Sequence, residues 1–262
     1  MPLNLVLDIG NSLIKGGLFD QGKLVETFFL ASHPMPKEEL LRHLSGKTIE
    51  KALISSVNSK AEEALIAYLD EQKINTLFLE HSKLKLILEV DEPEALGHDR
   101  IAGAYGALVL FPLNDCIVVD IGTAITADLI AKEGRYLGGM IYPGANLCAK
   151  ALADYTDKLP LVAFKKPPSP LAKTTETHLQ GGIYYGQLGA IERLIDELRA
   201  TSLAPSSIKV IATGGAARID PKNPDVEKEK FIDDLKELVD AIHPHLTLVG
   251  LHEILTELKA KE

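Results

Sequence analysis

Leu5-Val6-Leu7-Asp8-Ile9-Gly10-Asn11-Ser12 has a counterpart far down the chain in Ile117-Val118-Val119-Asp120-Ile121-Gly122-Thr123-Ala124. Each is an apolar run that reads as a buried β-strand, ends on an aspartate and enters a glycine turn beside a small polar residue. A second strand-like stretch follows in both, Leu13 to Phe19 in one and Ile125 to Ile130 in the other. A turn comes next, with Gln21-Gly22 and Gly134-Arg135 in matching places, and then a third strand. One strand-Asp-Gly turn arises by chance in any parallel sheet. Two copies with matched downstream elements point instead to an internal duplication. The split falls near Phe111 to Asp115, which gives an N-terminal half of residues 1–113 and a C-terminal half of 114–262.

Outward from these turns the pattern alternates strands with helices, the mark of an α/β fold. Asp20-Gln21-Gly22 suits a hairpin turn. Pro36 to Leu44 and Lys60 to Gln72 carry apolar residues at helical spacing, with Ser59 placed as an N-cap, and Ala52 to Ser55 reads as a strand between them. In the second half a helix is expected over Leu188 to Ala200, a strand over Lys209 to Ala212, a charged helix over Asp225 to Ala241 and a closing helix over Leu248 to Lys259. The prolines of Leu159 to Pro170 predict a loop.

A hydrophobic fraction of 46% with 25% charged residues is that of a soluble globular chain. The net charge of -9 argues against a nucleic-acid or anionic-membrane footprint. Cys116 and Cys148 make no metal-ligand spacing and read as reduced thiols. With no signal-peptide pattern and no apolar run of membrane length, the cytoplasm is the expected location.

The chemistry follows from the turns. Phosphoryl transfer needs donors around the phosphates, a carboxylate near the metal and a group that orients the attacking hydroxyl. A strand-terminal Asp followed by Gly and a hydroxyl or amide residue supplies the first two. Neither a P-loop nor a G-x-G-x-x-G turn occurs. Gly214-Gly215 after the Lys209 strand suits either packing against an adenosine or an ordinary turn. Gly97-His98-Asp99-Arg100 precedes an expected helix, Ile101 to Leu110. Asp99 there is either an N-cap or a general base. His98 is either a structural hydrogen-bonder or a base, and nothing in the sequence pairs it with a nucleophile. Gly138-Gly139-Met140-Ile141-Tyr142-Pro143-Gly144 reads as a strand bracketed by glycine turns.

Taken together, these motifs resemble those of the type III pantothenate kinases, over Leu5 to about Ile254. The resemblance rests on Asp8-Ile9-Gly10-Asn11-Ser12, Leu96-Gly97-His98-Asp99-Arg100, Asp120-Ile121-Gly122-Thr123-Ala124-Ile125-Thr126, the Gly138 to Gly144 segment, Gln180-Gly181-Gly182 and Ala212-Thr213-Gly214-Gly215. It implies two duplicated ribonuclease H-like domains of the actin-like ATPase fold with an inter-domain cleft. It also implies transfer of the ATP γ-phosphate to pantothenate, the first step of coenzyme A synthesis. By this resemblance Asp8, Ile9, Gly10, Asn11, Ser12, Leu13, Ile14 and Lys15 form the first phosphate loop, and Asp8 handles Mg²⁺. Thr123 contacts the ATP phosphates, and Asp120 binds a monovalent cation, K⁺ or NH₄⁺. Asp99 is the general base, and Gly97, His98, Asp99, Arg100 and Thr175 line the pantothenate site. The family is dimeric.

Three positions depart from the family pattern. Val90 stands where Tyr is frequent, Thr174-Thr175 where Asn-Thr is usual, and Ile125 where Thr is common. Two alternatives accompany this reading: a kinase of another small metabolite on the same fold, or a catalytically weak nucleotide-binding regulatory protein. The presence of Asp99 and Asp120 counts against the second.

Overall fold

The computed structural model describes residues 2–10, 13–32, 37–56, 59–202, 205–218 and 225–260. In chain order the first elements are β1 (Leu3–Ile9), β2 (Leu13–Asp20), β3 (Lys23–Ala31), α1 (Lys37–Leu44), β4 (Ile49–Ser56), α2 (Ser59–Glu71), β5 (Asn75–Phe78), β6 (Ile87–Leu88) and α3 (His98–Leu110). There follow β7 (Cys116–Ile121), β8 (Ala124–Ala131), β9 (Arg135–Pro143), α4 (Ala145–Asp154), α5 (Thr175–Ala200), β10 (Lys209–Thr213), α6 (Val226–Leu235), β11 (Ala241–Ile242) and α7 (Leu246–Lys259). They group into two compact units. One holds the described residues of 2–112, 134–136 and 246–260, and the other holds those of 113–133 and 137–245.

In the first unit the sheet order is β3-β2-β1-β4-β5. β1, β2 and β3 are antiparallel neighbours, and β4 and β5 run parallel to β1. The hairpin expected at Asp20-Gln21-Gly22 forms, with Gln21 at φ 47° and Gly22 at φ 81°. Positive φ at both central residues gives the turn a twist that matches the strands. Strand periodicity sends Leu5, Leu7 and Ile9 to one face, where they pack with Leu40 and Leu44 of α1 and Leu65 and Leu69 of α2. Val6 and Asp8 therefore face the other side, where α7 packs on β1 and α3 packs on α7. The α3–α7 contact is close because both helices carry glycine. A Cβ at Gly250 would meet Ala102 O and stand 2.8 Å from Gly106 N.

The second unit repeats this plan. Its strands run β9-β8-β7-β10-β11, the same order as β3-β2-β1-β4-β5, with β8 antiparallel and β10 parallel to β7. Ile117, Val119 and Ile121 pack against Tyr184, Ile191 and Ile195 of α5 and Phe231 of α6, so Asp120 lies on the opposite face. The duplication read from the two Asp-Ile-Gly turns is thus present as two sheets of one topology. The turns differ in length. Asp8 pairs with Lys15 across its hairpin, whereas Asp120 pairs with Thr126, one residue nearer in sequence.

Two element boundaries differ from expectation. The helix expected to begin at Leu188 begins at Thr175, because Thr174 and Thr177 form a capping box there. Gly181, Gly182 and Gly186 hide the helical signal, since glycine is a weak helix former. The charged helix expected over Asp225 to Ala241 ends at Leu235 and gives way to β11. Asp225 caps it, accepting from the Glu227 and Lys228 N–H groups. Among the described residues no helix is long and apolar enough to cross a membrane.

Candidate active site

Asp8 is the last residue but one of a mostly apolar strand and is 5% exposed. A carboxylate buried to that degree needs partners. The sheet register supplies them, placing Lys15 of β2 on one side and Ser55 of β4 on the other. Lys15 Nζ lies 3.1 Å from Asp8 Oδ2, and the Ser55 hydroxyl donates to Oδ1 at 3.5 Å. Beyond Asp8 the chain turns, with the Gly10 N–H donating to Leu13 O at 2.9 Å and the Ser32 hydroxyl donating to Gly10 O at 2.8 Å. Ile9 and Ile14 pair across this turn with their side chains fully buried, so only their main chain faces the loop. Leu13 is exposed, and Asn11 and Ser12 lie outside the described residues.

The Gly97 to Arg100 motif opens α3. Gly97 is the N-cap and Asp99 lies inside the first turn, so the capping alternative for Asp99 does not hold. Asp99 Oδ1 accepts from the Arg100 N–H at 2.9 Å. A Cβ at position 97 would stand 2.5 Å from that oxygen, so glycine leaves the carboxylate its place. The Arg100 guanidinium sits 5.8 Å from the centroid of the Tyr136 ring, a cation–π distance.

His98 is half-buried, its ring 5.0 Å from that of His81. Its Nδ1 is buried without a hydrogen-bond partner among the described residues. Burial pushes its pKa down and His81 adds to this, against the pull of Asp99, Glu62 and Asp8. The imidazole is therefore neutral at pH 7. It also senses both aspartates, which places the first loop and the start of α3 in one electrostatic neighbourhood of the first unit. Val90 follows β6, partly buried.

In the second unit Asp120 occupies the place of Asp8. Its register partners are Thr126 on β8 and Thr213 on β10, the latter 1% exposed. The turn closes with the Gly122 N–H donating to Ala124 O at 3.0 Å, and Thr123 is exposed. Thr175 is the first residue of α5, also exposed.

Sequence reasoning did not single out Ser55 and Thr213 as companions of the two aspartates. Each is a hydroxyl residue at or near the end of the strand parallel to the Asp strand. That pattern was available in the sequence but meant nothing until the strand order was known. Chemically, each unit offers a carboxylate near a strand end with a hydroxyl residue beside it on the parallel neighbour. That set suits a phosphate with its metal rather than a nucleophile or a transition-metal centre. Among the described residues no group of three or more His, Cys, Asp or Glu could hold a metal by itself.

Residues 4–197 match the family model described as type III pantothenate kinase. A relative from Francisella tularensis subsp. holarctica, named type III pantothenate kinase 1, is 36% identical over 242 residues, covering 87% of this chain and 91% of its own. A solved Baf family protein from Campylobacter jejuni covers 98% of this chain and 99% of its own, with a TM-score of 0.58 at 24% identity. MreB5 of Spiroplasma citri bound to ADP covers 100% of this chain and 99% of its own, with a TM-score of 0.50 at 14% identity. These two likenesses carry the fold: two duplicated ribonuclease H-like domains of the actin-like kind.

Proposed function

The chain belongs to the type III pantothenate kinase family, and from that membership we propose a division of labour among its residues. The enzyme phosphorylates pantothenate at the expense of ATP, the first step of coenzyme A biosynthesis, and uses a divalent metal. The observation that carries the assignment of roles is that Asp8 and Asp99 stand in one compact unit, in motifs within the residues 4–197 that match the family model. One carboxylate there is locked in the sheet by Lys15, and the other stands in the first turn of α3.

In this proposal Asp99 is the general base. It accepts the proton of the primary hydroxyl of pantothenate as that oxygen attacks the γ-phosphorus and the bond to ADP breaks. Asp8 would hold Mg²⁺ or its water shell, and the fit is good because a hard cation of this kind needs only one or two carboxylates beside the phosphates. Bound there, Mg²⁺ neutralises charge developing on the phosphate oxygens. Residues 8–15 supply main-chain donors to the phosphates, and Thr123 does so from the second loop. Gly97, His98, Arg100 and Thr175 line the pantothenate site.

Asp120 would hold the monovalent cation, K⁺ or NH₄⁺, with oxygen donors available from the same turn. The duplicated halves are 1–113 and 114–262, and α7 returns to pack in the first compact unit. Exposed Ile141, Leu147, Tyr155, Leu161 and Leu171 favour a homodimer, and the protein acts in the cytoplasm without nucleic acid or membrane.

The experiment is a coupled assay with pantothenate and MgATP in K⁺ and then in Na⁺ alone, for wild type and Asp120→Asn. Potassium-stimulated turnover that Asp120→Asn makes insensitive to the cation is the expected result. Equal wild-type rates in both salts contradict the role given to Asp120.

A further inference from the structure

Two glycine motifs, Gly138 to Gly144 and Thr213-Gly214-Gly215, have so far been given no part in the reaction. Both end against the second loop. The Gly144 N–H donates to Thr123 O at 3.0 Å, and Gly144 then caps α4, its own carbonyl accepting from the Cys148 N–H. A side chain at 144 has no room, because its Cβ would meet Gly122 O and stand 2.6 Å from Thr123 O. On the other flank Gly214 sits at φ +100°, where a Cβ would meet Asp120 Oδ1 and stand 2.6 Å from both the nitrogen and the oxygen of Ile121. Real Cβ atoms do not come that close to main chain, and L-residues avoid that φ. The Ala216 N–H adds a bond to Ile121 O at 3.1 Å.

The contrast with neighbouring glycines is specific. Among the described residues, a Cβ at Gly215 would meet nothing within 4 Å. In the first loop a Cβ at Gly10 would touch, among the described residues, Leu13 O alone, at 3.1 Å, and the Ser32 hydroxyl bonds that loop. The second turn, one residue shorter, is thus pressed between two main-chain surfaces that admit no side chain.

We propose that Gly144 and Gly214 are positioning residues that fix the Thr123 main chain and the Asp120 carboxylate for their contacts with the ATP phosphates and the cation. This rests on the roles given above to Thr123 and Asp120. Gly144 sets the phosphate-facing part of the turn, and Gly214 sets the carboxylate by occupying the space into which a side chain would push it.

The test uses the full chain with Gly144→Ala, Gly214→Ala and the control Gly189→Ala, an exposed position of α5 where a Cβ meets nothing within 4 Å among the described residues, each verified by a cooperative melt. MgATP binding is titrated without pantothenate, so the readout survives a failure of the substrate assignment. Steady-state assays then give the KM for each substrate and the half-saturating K⁺. A misplacement approaching 1 Å at such a site costs on the order of 100-fold. Gly144→Ala is therefore expected to weaken MgATP binding by about 10- to 100-fold while leaving the KM for pantothenate within about twofold. Gly214→Ala is expected to raise the half-saturating K⁺ by a similar factor, with excess K⁺ restoring part of kcat. Gly189→Ala is expected to change neither.

Loss of kcat with unchanged constants means a merely structural role and overturns the proposal, as does an equal effect from Gly189→Ala. A Gly144→Ala chain that does not fold counts the same way. A Gly214→Ala chain that does not fold likewise overturns the role given to Gly214.

Discussion

Tyr105→Phe removes one hydroxyl that serves three partners. Tyr105 sits on α3, about two turns beyond Asp99, with its ring buried. Its hydroxyl donates to Glu257 Oε2 of α7 at 2.9 Å and accepts from the N–H groups of Lys85 at 3.1 Å and Leu86 at 3.3 Å. Burial, together with the hydrogen bond to Glu257, pushes its pKa up to about 12, so it stays a donor throughout the working range. The phenylalanine fits the same space and takes this donor from a carboxylate that is 8% exposed, and this acceptor from two main-chain N–H groups.

A hydrogen bond to a charged group contributes about 1.5–3 kcal/mol and a neutral one about 0.5–1.5, so the variant, which loses one of the first kind and two of the second, loses roughly 2.5–6 kcal/mol. In a protein of this size each kcal/mol moves Tm by about 2–4 °C, so a fall of roughly 5–24 °C is expected. Circular-dichroism melts and urea titration measure it. The Tyr105→Phe/Glu257→Met double variant, which removes the buried carboxylate that lost this donor, should recover part of the loss. A single-variant loss under about 1 kcal/mol would refute the reasoning, since it would mean that water reaches these groups.

Other perturbations follow from the same structure. Gly250→Ala drives a methyl into Ala102 O and toward Gly106 N, so α3 and α7 must separate at a cost of about 1–3 kcal/mol, measured by denaturant titration. Because α3 carries Asp99, kcat should fall with it, and an unchanged melt and rate would contradict the close packing. Burial pushes the imidazoles of His98, His243, His245 and His252 below the ordinary 6.5. Below that pH the unfolded chain binds protons that the folded chain resists. Their contribution to stability is thus whole above about pH 6.5 and is lost as the pH falls toward the folded values. Melts should drop between about pH 7.5 and 5.5, and a flat profile would contradict the buried neutral histidines.

Much of the fold was legible because duplication made a weak signal count twice. Asp8-Ile9-Gly10 alone is an ordinary strand end, but with Asp120-Ile121-Gly122 and matched hairpins it predicts two sheets of one topology. What the sequence hid lay in contacts between distant segments. Ser55 approaches Asp8, and Thr213 approaches Asp120, only through parallel strand register, which no local pattern carries. The early start of α5 was masked by its glycines and revealed by the Thr174–Thr177 cap. Asp99 stood between cap and base on the sequence alone. The structure resolved the first half of that choice by giving the cap to Gly97.

The most direct measurement is product formation from pantothenate and MgATP by wild type and Asp99→Asn, followed by mass spectrometry of the phosphorylated product. The account predicts 4′-phosphopantothenate from the wild type. It predicts a kcat lowered by about 10²- to 10⁴-fold in Asp99→Asn, with MgATP binding retained, as loss of a general base requires. No product from the wild type at saturating substrates, or a variant with undiminished kcat, would contradict it.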